Sequence, residues 1–290
     1  MPEGDTVFRA AAKLHRGLAG KPLTRGEIRW GSKTIPDVTG RRTLEVIARG
    51  KHILHRIEGG ITVHSHLRME GTWRVITNDR LRERELYNPT IRAIFATEDN
   101  TAIGRKLGML DVLPTAREET LVGHLGPDIL GPDWDLERAI ADVAADQRPI
   151  GEVLLDQRVL AGIGTMYDAE TLFIEETPPW TPANELGIDA VRRIIERAYR
   201  LLMMGKEDDV QSTTGSRRRG EEKFVHARSG RPCRRCGTTI RVAMIGPAPQ
   251  DRTMFYCPSC QGGIGPTDDA RPQSPLGHRE RPTRRRGGYR

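Results

Sequence analysis

The pattern of apolar and polar residues divides the chain into a β-rich part and a helical part. Residues 5–18, DTVFRAAAKLHRGL, carry apolar side chains at helical spacing, and Asp5 or Thr6 can cap this helix. From about residue 20 to 113, the runs TLEVIA, HILHRI, ITVHSH, TWRVI and AIFAT are strand-like and are separated by ARGK, EGG and EDN turns. Closely spaced strands with hairpin turns indicate a sandwich or barrel. Residues 1–113 are therefore predicted to form a β domain that carries the N-terminal helix.

Helical periodicity begins after the LPTAR linker. The segments WDLERAIADVAAD, IGEVLLDQ, TMYDAETLFIEE and DAVRRIIERAYRLLMM predict an all-α second domain over residues 114–222. Residues 206–222 of this domain are polar, which predicts a mobile loop. A small module at 223–262 and a tail at 263–290 complete an α+β, multidomain chain. The composition of the tail predicts disorder, and its RRR cluster either attracts phosphates without specificity or is simply solvated.

A glycine turn separates two of the predicted helices, LLDQRVLAGIG and TMYDAE. Gly162 and Gly164 flank Ile163 just before Thr165, which is a candidate helix N-cap. Exposed amides at such a turn, with the positive end of a helix dipole behind them, form a site for a phosphate. The alternative is an ordinary packing turn between two helices.

The charge of the chain indicates a polyanionic partner. The formal net charge is +7 and the pI is about 9.5. Residues 217–252 hold ten Lys/Arg against three Asp/Glu, so the basic character is concentrated near the C-terminal module. No run of about 18 apolar residues and no secretory signal pattern occurs, so we expect a soluble, intracellular protein, cytoplasmic or nucleoid-associated, with no membrane partner.

All four cysteines belong to one local motif. Cys233 and Cys236 form one C-x2-C pair, and Cys257 and Cys260 form a second pair twenty residues later. This spacing predicts one structural Zn²⁺ held by four thiolates across a β-hairpin, with an iron or redox role as the alternative. TIRVAMI and RTMFYC are the predicted strands, which places Arg252 near the hairpin tip, where an arginine can reach a phosphate.

Several motifs together resemble one enzyme family. MPEG, ARGKHIL, SHLRMEGTWRV, LLDQRVLAGIGTMYDAE and CRRCG…DRTMFYCPSCQ occur in the order found in the formamidopyrimidine-DNA glycosylase and endonuclease VIII family, from residue 2 to about 261. The resemblance implies an N-terminal β-sandwich, a helix-two-turn-helix DNA-binding domain and a β-hairpin zinc finger. It also implies a bifunctional base-excision repair enzyme. The implied partner is damaged double-stranded DNA, or alternatively single-stranded or bubble DNA, bound by a monomer.

The resemblance assigns four catalytic positions. Pro2, the N-terminal residue once Met1 is removed, matches the amine that attacks sugar C1′ and forms a Schiff base. Glu3 matches the general acid, Lys51 the β-hairpin lysine, and Arg252 the zinc-finger arginine that binds phosphates and assists δ-elimination. Elementary chemistry agrees, because an α-amino group has a pKa near 8, against about 10.4 for lysine, and is more often a neutral nucleophile. Without the resemblance, MPEG is an ordinary chain start with a carboxylate near a helix dipole.

The resemblance also predicts residues that contact DNA. Met69 matches a methionine that fills the space left by the flipped base. Arg105 and Leu107 fall where the formamidopyrimidine branch carries an arginine and an aromatic wedge. The glycine turn contributes the backbone of Gly162 and Gly164, together with Thr165.

The chain departs from the family pattern at three places. Asp5 and Thr6 replace a proline and an acidic residue, Thr165 replaces an asparagine that contacts phosphate, and Leu107 replaces the aromatic wedge. These departures favour an endonuclease VIII-like enzyme that removes oxidised pyrimidines and cleaves the abasic strand by β,δ-elimination. The alternatives are excision of 8-oxoguanine or formamidopyrimidine, a non-catalytic damage-binding protein on the same scaffold, and a zinc-ribbon protein of transcription or translation.

Overall fold

The N-terminal part of the protein is a β-sandwich with a helix packed against it. The computed structural model describes residues 2–275. Helix α1 (Gly4–Leu18) is followed by eight strands that form two four-stranded antiparallel sheets, in the orders β1-β6-β7-β5 and β2-β3-β4-β8. The strands are β1 (Arg25–Ile28), β2 (Thr43–Arg49), β3 (His52–Ile57), β4 (Ile61–His66), β5 (Thr72–Thr77), β6 (Ile91–Ala96), β7 (Asn100–Arg105) and β8 (Met109–Pro114).

The first core of the molecule lies between these sheets and α1. Val7, Ala11 and Leu14 recur at helical spacing on α1 and are 1–2% exposed, so one stripe of the helix closes the sandwich. Phe95 of β6 is fully buried in the same core. The predicted sandwich is confirmed. Strands β1, β7 and β8 were not among the predicted runs, because RGEI, NTAIGR and MLDVLP mix polar with apolar residues.

The second part is helical and is built around one buried helix. Its helices are α2 (Glu119–Val122), α3 (Leu136–Ala144), α4 (Ile150–Leu155), α5 (Thr165–Ile174) and α6 (Ile188–Glu207). Residues 166–173 of α5 are all buried, including four side chains that carry a carboxylate or a hydroxyl: Tyr167, Asp168, Glu170 and Thr171. A helix buried on every side lies at the centre of its domain, so its polar groups are brought into contact with neighbouring segments.

The C-terminal module is an antiparallel hairpin of β9 (Arg241–Ile245) and β10 (Arg252–Tyr256). Ile245 and Met254 are at most 2% exposed and belong to the same core cluster as α5 and α6, so the hairpin is packed on the helical part. Within residues 2–275, no helix has both the length and the apolar character needed to cross a bilayer.

Part of the predicted disordered tail is ordered. Asp268 accepts hydrogen bonds from Arg241 Nε and from the Tyr256 hydroxyl, both at 2.6 Å, and Gln273 Nε2 donates to the carbonyl of Val242 at 3.2 Å. The prediction of disorder is therefore wrong for residues 264–275, because a buried ion pair anchors this segment along the hairpin. The RRR cluster at 284–286 lies outside the described residues.

Candidate active site

Glu3 is held at the junction of the two large parts of the molecule. It directly precedes α1, is 1% exposed, and places its carboxylate at the N-terminus of α5. Its Oε1 accepts a hydrogen bond from Met166 N at 2.8 Å, and its Oε2 accepts from Gly164 N at 2.9 Å and Tyr167 N at 3.3 Å. The first amides of a helix lack partners within it and carry its positive dipole end. Glu3 therefore caps a helix that lies far along the chain.

Glycine at position 164 leaves room for the Glu3 carboxylate. A Cβ on Gly164 would lie 2.5 Å from Glu3 Cδ, so only glycine fits at this helix cap. Gly4 N also donates to the carbonyl of Gly162 at 3.0 Å, which fixes the backbone beside Glu3. Burial raises the pKa of Glu3 above its ordinary value, although the Lys51 charge and the amides of Met166 and Tyr167 act in the opposite direction.

These contacts correct two predictions about the glycine turn. Thr165 is the first residue of α5, and the N-cap is Gly164. The amides of Gly164, Met166 and Tyr167 bind Glu3, so they are not free for a phosphate. Gly162 N is also occupied, because it donates to Gln157 Oε1 at 3.1 Å. The turn is an anion site, as its dipole predicts, but the anion is supplied by the protein itself.

Lys51 lies in the β2–β3 hairpin, close enough to interact electrostatically with Glu3. Gly50 provides the turn with φ +56°, and its amide donates to Asp128 Oδ2 at 2.7 Å, which ties the hairpin to the segment before the glycine turn. Burial lowers the pKa of Lys51; Glu3 and Asp168 oppose this shift and Arg252 adds to it. The charges of α5, of the Lys51 hairpin and of β10 therefore meet at one place.

Arg252 starts strand β10, at the end of the hairpin turn as predicted. Its guanidinium donates to the carbonyls of Gln250 at 2.7 Å and Asp251 at 3.1 Å, and its side chain is exposed. Carbonyl partners leave the guanidinium charge uncompensated, so it remains available to a phosphate.

Pro2 borders a polar pocket of about 380 Å³. The pocket lies between α1 and the segment after α6, and its lining residues are Pro2, Thr6, Arg9, Asp209, Val210, Gln211, Glu222 and Lys223. The loop predicted at 206–222 therefore faces the predicted nucleophile. Helix α6 includes the first two residues of that loop, and the rest is irregular.

Asp5 and Thr6, which depart from the N-terminal motif of the family, bind this loop. Asp5 is fully buried and accepts hydrogen bonds from Gln211 Nε2 at 2.9 and 3.1 Å and from Arg9 Nη1 at 3.1 Å. Thr6 Oγ1 accepts a third bond from the same Gln211 nitrogen at 3.1 Å. Since the amide nitrogen is committed to α1, the Gln211 carbonyl oxygen is oriented away from Asp5.

Met69 projects from the turn between β4 and β5 and is 67% exposed. Its turn lies beside the loop between β7 and β8, because Lys106 Nζ bonds Glu70 Oε2 at 2.7 Å and a Cβ on Gly108 would contact the Arg68 side chain at 2.5 Å. Sequence reasoning placed both loops at the DNA, and the structure brings them together.

The two residues predicted from the β7–β8 loop occupy different environments. Arg105 lies 3.8 Å from the carboxylate of Glu85, and its side chain is 28% exposed. Leu107 is 2% exposed and packs in the sandwich core against Trp73 and Phe95. The side chain of Leu107 would have to leave the core to contact DNA, and that contact stays a prediction.

The four cysteines converge as their spacing predicts. The Sγ atoms of Cys233, Cys236, Cys257 and Cys260 all lie within 4.8 Å of one another, and those of Cys236 and Cys257 are 3.5 Å apart. Four thiolates at about 2.3 Å from one Zn²⁺ place neighbouring sulfurs about 3.8 Å apart. The donor set therefore fits a single tetrahedral ion.

Sequence reasoning missed two polar residues of α5. Glu170 is fully buried and accepts hydrogen bonds from Val225 N at 2.7 Å, Phe224 N at 2.8 Å and His226 N at 2.8 Å, and from the Thr213 hydroxyl. Asp168 is also fully buried. The sequence could have indicated these two residues, because charged residues within an apolar helix are rarely buried unless they have a partner or a function.

A row of histidines beside Lys51 was also missed. His64 Nδ1 is 3.1 Å from Asp111 Oδ2, and His52 Nδ1 is 2.8 Å from His64 Nε2. Burial lowers the pKa of His52 to about 3 and that of His66 to about 4, so these imidazoles are neutral at pH 7. The alternation in ITVHSH was the signal, because residues two apart on a strand share a face.

Comparisons with known proteins agree with this fold. The sequence model of the formamidopyrimidine-DNA glycosylase N-terminal domain matches residues 1–109, and that of the formamidopyrimidine-DNA glycosylase H2TH domain matches residues 125–216. The chain belongs to this family of enzymes. The predicted family, fold class and enzyme class are confirmed.

Individual relatives refine the picture. The chain is 48% identical to "Probable endonuclease 8 2" of Streptomyces coelicolor, with 93% of this chain and 98% of that protein covered. It is 41% identical to "DNA-(apurinic or apyrimidinic site) lyase Nei2" of Mycolicibacterium smegmatis, covering 90% and 99%. Among solved structures, it resembles Lactococcus lactis formamidopyrimidine-DNA glycosylase bound to abasic-site DNA, with a TM-score of 0.72, 23% identity and coverage of 90% and 100%. This last likeness concerns the fold.

Proposed function

We propose that this enzyme removes oxidised bases from damaged double-stranded DNA and cleaves the resulting abasic strand, with Pro2 as the nucleophile. One observation carries the proposal: Glu3, the neighbour of Pro2, is fixed by three amides of α5 beside the partly buried Lys51. A frayed chain start would not bury a carboxylate at the junction of two domains. The fixed geometry supports a nucleophile and an acid held side by side.

The proposed chemistry uses the terminal secondary amine of Pro2. The Pro2 nitrogen forms a bond to sugar C1′, the bond from C1′ to the base breaks, and the proton lost by the amine goes to the departing base. Opening of the C1′–O4′ bond, with a proton from Glu3 to O4′, leaves a cationic iminium. The iminium acidifies the C2′ hydrogen, so loss of that proton breaks the C3′–O bond and releases the phosphate.

The remaining predicted residues have roles in binding DNA. Arg252 is proposed to bind the phosphates around the lesion and to assist δ-elimination, and Lys51 to bind a phosphate or the departing oxygen. Exposed Met69 is of suitable size to fill the space left by a flipped base. Thr165, with its amide and hydroxyl free of Glu3, and Arg105 are proposed to contact the flanking strand.

The substrate class is proposed from one relative and from one departure from the family pattern. We propose oxidised pyrimidines, because the Streptomyces coelicolor relative bears an endonuclease 8 name and because Leu107 stands where the formamidopyrimidine branch carries an aromatic wedge. Excision of 8-oxoguanine or formamidopyrimidine by the same chemistry is the second candidate, favoured by the fold shared with the Lactococcus lactis enzyme.

The four cysteines are proposed to hold one Zn²⁺. The ion would have no open coordination position and would supply no chemistry at the reacting atoms. Its role would be to fold the hairpin that presents Arg252, and elemental analysis should find one zinc per chain.

Borohydride trapping tests the proposed function. Native protein with Met1 removed is incubated with end-labelled duplex DNA that contains one abasic site, and is then reduced. A covalent adduct is expected. It should weaken in Pro2→Gly, whose primary amine can still form an imine, and it should disappear in a variant whose N-terminus is blocked by a tag. If correctly processed native protein forms no adduct, the lyase assignment fails and the protein binds damage without turnover.

A further inference from the structure

Asp168 differs from every other carboxylate at the active site. It lies on α5, is fully buried, and neither of its oxygens has a hydrogen-bond partner among residues 2–275. Glu3 and Glu170, buried on either side of it, each accept at least three hydrogen bonds. A buried carboxylate without donors is strongly unfavourable, so Asp168 is stable there only as the neutral acid.

Asp168 shares a helix face with the Glu3 carboxylate. Side chains in a helix lean towards its N-terminus, so residue 168 covers the turn that starts at Gly164, four positions earlier. The space on the Cβ side of Gly164 is filled by Glu3, whose Cδ lies 2.5 Å from that position. The two acids are therefore neighbours at the start of α5.

Few charged groups act on this pair. Burial raises the pKa of Asp168 well above its ordinary value; the Glu3 charge adds to the shift and Lys51 opposes it. Helices α4 and α6 and strand β10 pack against α5, and β10 carries Arg252, which acts on Lys51. From α1, the charge of Asp5 acts on Glu3 and adds to the upward shift of its pKa. Asp168, Glu3 and Lys51 form one coupled set of titrating groups.

We propose that Asp168 is a positioning residue for proton transfer, which stores the proton that Glu3 delivers to the sugar. This inference rests on the function proposed above. The three amides that bind Glu3 favour the negative charge on Glu3, whereas Asp168 has no donor to stabilise a charge. The single proton of the pair therefore resides on Asp168 before the reaction.

The proton returns to its starting place within one cycle. As the C1′–O4′ bond breaks, the Asp168 proton passes to Glu3 and on to O4′, which leaves both carboxylates transiently ionised. When the C2′–H bond breaks during β-elimination, Glu3 accepts that proton and passes it to Asp168. No oxidant, reductant or further reactant is needed, and the pair begins and ends with one proton.

The variant Asp168→Asn separates this role from a structural one. It keeps the side-chain volume but removes the proton, so only Glu3 can then be protonated, and its three amide bonds favour ionisation. We expect base excision at pH 7 to fall at least about tenfold, within the range of general acid catalysis. The alkaline limb of the pH profile should move down by at least about one pH unit, and activity should recover as the pH is lowered.

Thr171→Val is the matched control. Thr171 lies on the same helix, is fully buried, and its hydroxyl likewise has no partner among the described residues. This control should leave the pH profile unchanged. An equal loss of activity for Asp168→Asn at every pH, or no loss, would overturn the proposal.

Adduct formation at a preformed abasic site distinguishes this inference from the proposed function. At a preformed abasic site the C1′–O4′ bond opens without the enzyme. Asp168→Asn should therefore give an adduct yield close to that of native protein. If native protein gives no adduct, the proposed function fails. If native protein gives an adduct but the pH profile of Asp168→Asn is unchanged, only the role of Asp168 fails.

Infrared spectroscopy of the native protein provides a test that does not depend on the variant folding. A protonated carboxyl band that shifts in D₂O and persists at pH 7 supports the proposal. Absence of any such band at pH 7 overturns it, because Asp168 would then be ionised.

Discussion

Helix α5 anchors two different segments of the chain with the same kind of contact. At its N-terminus the helix receives Glu3, and three amides of the helix donate to a carboxylate from outside. Further along, the helix supplies the carboxylate, and Glu170 accepts from three amides of residues 224–226. The first contact fixes the proposed reacting groups, and the second fixes the segment that follows the pocket loop. Similar hydrogen bonds thus fix a segment of the N-terminal part at the start of α5 and a segment before the C-terminal hairpin further along it.

The largest expected effect comes from Gly164→Ala. The added Cβ would lie within 3 Å of three Glu3 atoms and displace the carboxylate from beside Pro2. We expect at least about a 10²-fold loss of base excision, as misplacement of about 1 Å in an active site commonly gives. Single-turnover kinetics on a duplex with one oxidised pyrimidine would measure it. Gly151→Ala is the control, because its Cβ mainly meets the flexible ends of Ile245 and Met254, and it should keep activity.

Glu170→Gln should weaken the contact between α5 and residues 224–226. Glutamine has one acceptor oxygen, so some of the buried amides of residues 224–226 would lose their partner. Unpaired buried donors cost about 1–3 kcal/mol, which thermal or urea unfolding would detect. Base excision should fall more than adduct formation at an abasic site, because the loop borders the base pocket. Glu175→Gln, whose carboxylate pairs with Arg197 near the surface, should change stability by less than about 1 kcal/mol.

The stability of the folded protein should depend on pH through Asp168. The pKa of Asp168 in the folded state is raised, so its contribution to stability is fully present below the unfolded pKa, near 4, and is lost as the pH rises through the folded value. The difference in unfolding free energy between native protein and Asp168→Asn should therefore shift in favour of the variant by about 1 kcal/mol or more on raising the pH from 5 to 9. A constant difference across this range would contradict the assignment of a neutral Asp168.

The smallest effect is expected for Gln211→Ala, which removes one link between α1 and the loop and leaves the ion pair of Lys13 with Asp209 in place. Asp5 would keep its bond to Arg9, so the loss should be about 0.5–1.5 kcal/mol in unfolding free energy. The preference among oxidised bases should change, since Gln211 lines the pocket beside Pro2. An unchanged preference across a panel of damaged bases would remove this loop residue from substrate choice.

Sequence reasoning recovered local structure better than contacts between distant segments. The helix at α1, the strands of HILHRI and ITVHSH, and the cysteine cluster follow from periodicity and spacing, which are local properties. The partners of Glu3 and Asp5 were not predictable, because they lie more than 150 residues away and depend on how the domains pack. Leu107 was assigned from its place in a motif, and only packing could show that its side chain is buried. The roles of the family residues remain predictions.

The contact between Glu3 and Gly164 also determines when the proposed active site can form during synthesis. The two residues are 161 positions apart, so ribosomal synthesis makes Glu3 long before the amides that fix it. Domains generally fold as they emerge, and contacts this distant form late. The acid beside the proposed reactive amine is consequently not held in place until α5 has been translated and docked, so a truncated nascent chain would carry both groups without their fixed geometry.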